Sequence, residues 1–158
     1  MTTTMTLVPK RWYCWDFLVM SHERTVADLD LSSWREKGVV TIEGGEYHVG
    51  REGMVSGDFF IQRGGQTLAR AAKPSAFTNR FVVTFRERSY TLERKSIWGR
   101  TFVLLDGDRE IGSVTPRSMW TRRATIDLPS DWPLPIRAFV IWLAIIVWKR
   151  DANAGGGA

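Results

Sequence analysis

The chain has one cysteine, Cys14, and two histidines, His22 and His48, among 158 residues. A single thiol forms no intramolecular disulfide and supplies no cysteine cluster for a metal. Neither histidine has a sequence-adjacent partner suited to general acid–base work. A Walker-type phosphate loop, a G-x-S-x-G elbow and a dinucleotide fingerprint are all missing. Asp106-Gly107-Asp108 with Glu110 gathers acids but lacks calcium-loop spacing and the twelfth-position glutamate, so it reads as a turn. These absences argue against an enzyme and leave no metal site and no cofactor to expect. Met1 to Lys10 has no apolar h-region, which predicts no signal peptide and a reducing, cytoplasmic setting. Long apolar runs are also missing, except for one near the C-terminus.

What is present is globular material. The chain is 44% apolar and 25% charged and carries eight tryptophans, which fits one domain with a real core. It also repeats itself at a spacing of 43. Residues 47–85 laid on 90–128 give seven identities: Tyr47/Tyr90, Arg51/Arg94, Phe59/Phe102, Gly64/Gly107, Ser75/Ser118, Thr78/Thr121 and Arg80/Arg123. Ordinary residue frequencies would give about two or three. Val39-Val40-Thr41 matches Val82-Val83-Thr84 in a worn first copy, and one residue of slippage earlier Phe17, Val19 and Val26 match Phe59, Ile61 and Leu68.

Each copy reads as short strands separated by turn residues. In the second, Glu46–Glu52 and Asp58–Arg63 lead to a Gly64-Gly65 turn, Gln66–Lys73 returns, and Arg80–Phe85 follows Pro74. In the third, Tyr90–Lys95, Arg100–Leu105, the Asp106-Gly107-Asp108 turn, Glu110–Thr115 and Arg122–Leu128 repeat the order. In the first, Arg11–Met20 and Arg24–Leu31 flank Ser21-His22-Glu23, and Val39–Ile42 runs into Gly44-Gly45. That makes about eleven strands, with a twelfth available before Pro9. Cys14, between Tyr13 and Trp15, is expected as a buried thiol in the first of them. Three units are too few for a propeller. Closure into one antiparallel barrel of about 12 strands suits the length and removes the edge strands.

After Leu128 the pattern changes. Ser130 or Asp131 is a candidate N-cap, and Ala138 to Trp148 contains no polar residue. A helix apolar on every face either spans a membrane or is buried in protein. Leu134 to Trp148 reaches roughly 22 Å at 1.5 Å per residue, short of the ~30 Å hydrocarbon core. The expectation is a mainly-β barrel wrapped around a buried C-terminal helix at about 134–149. Residues 1–10 form an N-terminal extension, 11–150 the barrel, and 151–158 a disordered tail.

The glycine-turned hairpins at Gly44-Gly45, Gly64-Gly65 and Asp106-Gly107, the segment Arg100–Gly112 and the terminal Leu134–Trp148 helix carry a family resemblance. Over about residues 11–150 the chain resembles the tubby C-terminal-like superfamily, which includes tubby domains, phospholipid scramblases and LURP-one-related proteins. The resemblance implies a twelve-stranded barrel around a hydrophobic helix, and a non-enzymatic module. Tubby domains bind phosphoinositide headgroups through basic surface residues, and scramblases associate with membranes. No family binding motif falls on matching positions in this chain, and the cysteine- and proline-rich N-terminal region of scramblases is missing.

The chain nets +5, which favours anionic partners. Residues 80–123 hold ten basic and five acidic residues. The sharpest piece is Pro116-Arg117-Ser118-Met119-Trp120-Thr121-Arg122-Arg123. Arginine pairs with phosphate bidentately and tryptophan suits headgroup depth, so Arg117, Arg122, Arg123 and Trp120 are the candidate anion- or lipid-binding residues. The structural alternative is that Trp120 repeats Phe77 and Trp34 as core, and that Arg123 repeats Arg80 at a strand entry. The leading expectation is peripheral rather than integral binding to anionic lipid headgroups. A nucleic-acid-binding barrel and a scaffold or small-ligand barrel are the alternatives.

Overall fold

The computed structural model describes residues 1–31, 36–53, 57–73, 80–118 and 121–156. The strands are β1 (Thr2–Pro9), β2 (Phe17–Ser21), β3 (Arg24–Leu31), β4 (Gly38–Ile42), β5 (Gly45–Arg51), β6 (Phe59–Arg63), β7 (Gln66–Ala72), β8 (Arg80–Phe85), β9 (Arg88–Arg94), β10 (Phe102–Asp106), β11 (Arg109–Pro116) and β12 (Ala124–Pro129). A single helix, α1 (Leu134–Gly156), follows. Each strand pairs antiparallel with its neighbour in sequence. β12 returns to β1 from Thr2↔Pro129 to Leu7↔Ala124, which closes the barrel. Ser130 ties this seam to the first residue, its amide and hydroxyl both donating to the Met1 carbonyl at 3.1 and 3.0 Å.

The sequence repeat is a repeat of structure. β2–β3, β6–β7 and β10–β11 each carry a register shift, at Val19/Met20, Ile61/Gln62 and Leu104/Leu105. Phe17, Phe59 and Phe102 open the matching strands β2, β6 and β10, and all three are fully buried. Three matching loops are closed by one backbone hydrogen bond each: Lys10 to the Asp16 carbonyl, Glu52 to Asp58 and Lys95 to Thr101, all at 2.9 Å. This loop explains one departure from the sequence reading. Arg11–Met20 is not one strand, because 10–16 form the loop and β2 starts at Phe17. Cys14 therefore sits half-buried on a loop, with Sγ 3.8 Å from the Arg11 carbonyl, and not as a buried strand thiol. The aromatic repeat at Trp34, Phe77 and Trp120 lies outside the described residues.

Twelve strands ~4.8 Å apart and tilted ~40° close at a backbone radius of roughly 12 Å. Inward side chains alone do not fill that lumen, since about eight strands is the size at which they do. α1 fills it. Every residue from Ala138 to Trp148 is at least 96% buried, and no polar or charged residue among those described is buried with them. Phe59 meets Phe81 at 5.5 Å and Trp142 at 5.8 Å, while Phe139 stacks on Trp142 at 6.0 Å. No helix among the described residues is long and apolar enough to cross a membrane.

The two ends of α1 differ from the sequence reading. Ser130 does not cap the helix, because its hydroxyl is committed to Met1; the Pro133 carbonyl accepts instead from Ile136 and Arg137, at 3.0 and 3.1 Å. Trp132 closes this end of the barrel against Tyr90 (4.8 Å) and Phe85 (5.4 Å). At the other end the helix does not stop at Arg150. It continues to Gly156, with Asp151 ion-paired to Arg94, so the expected disordered tail is helical through residue 156. Within the N-terminal extension, Thr2–Pro9 forms β1, the twelfth strand that the sequence offers before Pro9.

The hairpins β4–β5 and β8–β9 turn through Glu43-Gly44 and Arg86-Glu87, with the Gly44-Gly45 turn of the sequence reading displaced by one residue. Arg86 and Glu87 both hold positive φ (51° and 61°), a region that disfavours residues with a Cβ by about 1–2 kcal/mol. Arg86 recovers some of this by stacking its guanidinium 4.8 Å over the Phe85 ring. Glu87→Gly keeps that contact and relieves one strained position. It should stabilise the barrel by about 1 kcal/mol, raising the melting temperature by roughly 2–4 °C in a thermal scan. The lumen makes the opposite prediction for Trp142→Ala. Loss of about 3–5 kcal/mol, read by urea denaturation, is expected from a fully packed core. A loss below ~1 kcal/mol would mean that the helix does not hold the wall.

Candidate functional site

Antiparallel connectivity sorts the connections between two ends. All even-to-odd links (β2–β3, β4–β5, β6–β7, β8–β9, β10–β11) are two-residue turns. All odd-to-even links are loops of six or seven residues. The loops therefore share one rim, and α1 emerges among them, with Arg150 paired to Glu36 of the β3–β4 loop.

Charge divides the same way. The β9–β10, β11–β12 and β1–β2 loops are consecutive around the rim because β12 adjoins β1. Residues 95–101, 117–123 and 10–16 contain seven basic residues and one acid, net +6, more than the whole chain's +5. At the opposite end, residues 22–23, 43–44, 64–65, 86–87, 107–108 and 130–133 contain five acids and one base, net −4. The barrel is electrically polar along its axis, and its positive pole carries the long loops.

The same loops expose large apolar groups. Trp12 is 86% exposed and Tyr13 61%, on the β1–β2 loop; Ile97 is 81% and Trp98 91%, on the β9–β10 loop. Among the described residues the only other exposed large hydrophobic side chain is Met1, at the far end. Neither loop is a loose tether. Arg11 donates to the Tyr13 hydroxyl at 2.8 Å, and Trp12 packs edge-on against Tyr13 at 5.5 Å. The Trp98 amide donates to Ser96 Oγ at 3.2 Å. Beneath that loop the Trp148 indole donates to the Arg100 carbonyl at 2.8 Å, and the Arg100 guanidinium lies 5.3 Å over the Trp148 ring. Burial, partly offset by Asp151, holds the Arg100 pKa below its ordinary value.

The candidate residues from the sequence separate into two roles here. The Arg117 amide donates to the Arg123 carbonyl at 2.9 Å, which closes the loop and leaves both side chains exposed. Arg122 points back into the protein. It donates to the carbonyls of Cys14 and, at 3.3 Å, Arg11, and its guanidinium stacks 5.2 Å from the Trp15 ring. It therefore clamps the β1–β2 loop to the β11–β12 loop. Trp120 lies outside the described residues. Sequence reasoning missed Trp12, Tyr13, Ile97 and Trp98. The available signal was the alignment of 10–16 and 95–101 with 52–58, of which residues 53–57 already read as a gap between strands.

Inside the rim the charges are paired. Glu36 accepts from Arg51 at 3.5 Å and from Arg150, and Arg94 binds Asp151. Lys10 bridges Asp28 and Asp30; its pKa is raised because these bonds outweigh burial, which pulls it down. Among the described residues no three histidine, cysteine, aspartate or glutamate side chains are grouped to hold a metal ion. Comparison with protein-family models, curated proteins and solved structures gives no match.

Arg122→Ala removes two charge-assisted bonds to backbone carbonyls and should cost about 1.5–3 kcal/mol in urea denaturation. Arg122→Lys should recover only part of this, because an ammonium cannot reproduce the planar fork and stack. Arg117→Ala should stay within ~0.5 kcal/mol of the parent. Equal effects at both positions would remove Arg122 from the clamp.

Proposed function

We propose that the protein is a non-enzymatic barrel that docks its loop-bearing rim onto anionic lipid surfaces, as the resemblance to tubby-like domains leads one to expect. The observation that carries the reading is the coincidence, on one rim, of four exposed apolar side chains with a net +6 in three adjacent loops. Tryptophan and tyrosine suit the headgroup boundary, where the ring is half wet. Exposed basic groups beside them add about 1 kcal/mol each near an anionic leaflet. Arg11, Lys95, Arg117 and Arg123 are exposed in these loops. The acidic turns at the far end would be held away from the surface, so attraction and repulsion set one orientation. The association is peripheral, with α1 retained as the barrel's core.

Nucleic acid is the competing anionic partner. Single strands stack on exposed ring faces. Ile97 has no such face, which favours the lipid reading.

Flotation with neutral vesicles and with vesicles containing phosphatidylserine tests it. The full chain should float only with the anionic vesicles, and less as salt rises. Trp12→Ala/Trp98→Ala should weaken partitioning about tenfold, and Arg117→Glu/Arg123→Glu at least as much, with melting temperatures unchanged. No flotation, or flotation indifferent to both pairs, would overturn the proposal. A salt-sensitive complex with a single-stranded oligonucleotide in place of vesicle binding would move the rim to the nucleic-acid class.

A further inference from the structure

Charge is divided around the barrel axis as well as along it. The basic loops β9–β10, β11–β12 and β1–β2 alternate along one run of strands with the turns at 107–108, 130–133 and 22–23. These three turns hold Asp108, Asp131 and Glu23 and no base, net −3. The other three turns, 43–44, 64–65 and 86–87, hold two acids and one base, net −1. The other three loops, 32–37, 52–58 and 73–79, hold three acids and three bases, net zero. One side of the barrel is therefore charged at both ends with opposite sign, and the other side is nearly neutral at both.

Both sets of charges are free to meet a partner. On the outer wall Glu52, Glu93 and Asp106 each face an arginine. Glu23, Asp108 and Asp131 are exposed, and among the described residues their side chains enter no ion pair or hydrogen bond. The same holds for the side chains of Lys95, Arg117 and Arg123 on the rim. Exposed apolar groups follow the same division. Trp12, Tyr13, Ile97 and Trp98 stand among the basic loops. Met1 is fully exposed on the acidic side, where its carbonyl accepts from Ser130. Counting its ammonium against the three acids leaves that side of the turn end net −2.

A second copy on the same axis complements this arrangement. Its acidic turn end meets the basic rim of the first and brings an apolar Met1 to the exposed rings. Strands of about six residues tilted ~40° carry a charged arc roughly 60° around the barrel between its two ends. Successive copies are therefore related by a rotation as well as a translation. The net +5 of each copy opposes association, but screening limits its reach. The screening length of ~8 Å at physiological ionic strength is shorter than the roughly 15 Å height of the tilted strands, so the facing poles dominate. The area is adequate too. An end face of roughly 15 Å radius covers about 700 Å², so two faces in contact bury about 1,400 Å², against about 1,200–2,000 Å² for stable interfaces.

We propose that copies of this chain stack head to tail, the basic rim of one on the acidic turn end of the next. The contact is heterologous, so a stack keeps one free rim and one free turn end and grows with concentration. The proposal does not rest on the lipid-docking reading, although a stacked rim is withheld from any lipid surface.

Light scattering on the full chain, without lipid, tests it over about 10 to 500 µM, the range of weak interfaces. The average mass should rise with concentration at low salt and fall to that of the monomer as salt is raised. Glu23→Gln/Asp108→Asn/Asp131→Asn alters exposed charge alone and should weaken association at least tenfold, with the melting temperature unchanged. Arg117→Glu/Arg123→Glu should do the same from the other end. Mixed in equal amounts, the first variant offers an intact rim and the second an intact turn end. The mixture should form a one-to-one dimer and nothing larger. A mass independent of concentration, association that survives the turn-end substitutions, or a mixture that stays monomeric would each overturn the proposal. With no lipid present, these outcomes are independent of the flotation result.

Discussion

A twelve-stranded closed sheet has a lumen that its own side chains cannot fill, and the rest of this structure depends on how that lumen is occupied. An empty bore of that width would forfeit the contacts on its inner face, and water there would hydrate the ring of Phe17, Phe59 and Phe102. The occupant must be a rod, apolar on every side, about as long as the strands. Ala138–Trp148 meets each condition: no polar residue, burial all round, and a length of three turns. The absence of an apolar stripe, which in an ordinary surface helix would be a fault, is what a central position requires.

The same closure sets the polarity of the molecule. An antiparallel meander of twelve strands has only two places to put its connections, and here all the tight turns fall on one side. Turns of two residues leave a flat end with no room to vary. The loops on the other side can vary, as the loops after β1 and β9 do in their exposed tryptophans. α1 enters from the turn end beneath Trp132 and leaves among the loops, where the Trp148–Arg100 bond anchors the base of the β9–β10 loop. The core element thus also fixes one of the long loops, so the exposed Trp98 stands on an anchored base.

Strand number, closure and the buried helix were legible because each has a one-dimensional signature. Alternation marks strands, the 43-residue spacing counts them in fours, and an apolar run too short for a bilayer marks the helix. The loop at 10–16 was not legible. Tyr13, Cys14 and Trp15 carry strand propensity, and only the Lys10–Asp16 hydrogen bond, a contact made by closing the loop, shows that the strand starts later. Tertiary geometry also divided the arginine cluster. Arg117, Arg122 and Arg123 are alike in sequence, yet Arg122 is turned inward by carbonyls more than a hundred residues away. The N-cap failed for a similar reason. Ser130 has the right residue type at the right spacing, but the barrel seam claims its hydroxyl.

The repeat serves as an internal alignment. Positions that hold the same character in all three copies, such as the Phe17/Phe59/Phe102 ring and the three register shifts, are those the barrel needs in order to close. Positions that diverge are free of that demand. Arg94 and Arg51 remain alike because each lies over the phenylalanine of its own repeat, at 5.8 and 5.1 Å. Glu93, Gly50 and Val8 do not, although the strand pairing around them is the same. A glycine in mid-strand weakens a sheet, and here the half-buried Phe60 ring covers it, 3.0 Å from where a Cβ on Gly50 would stand. Closure of the barrel therefore does not explain Gly50; the Phe60 ring across the strand pair does, because it takes the place that Val8 and Glu93 fill with their own side chains.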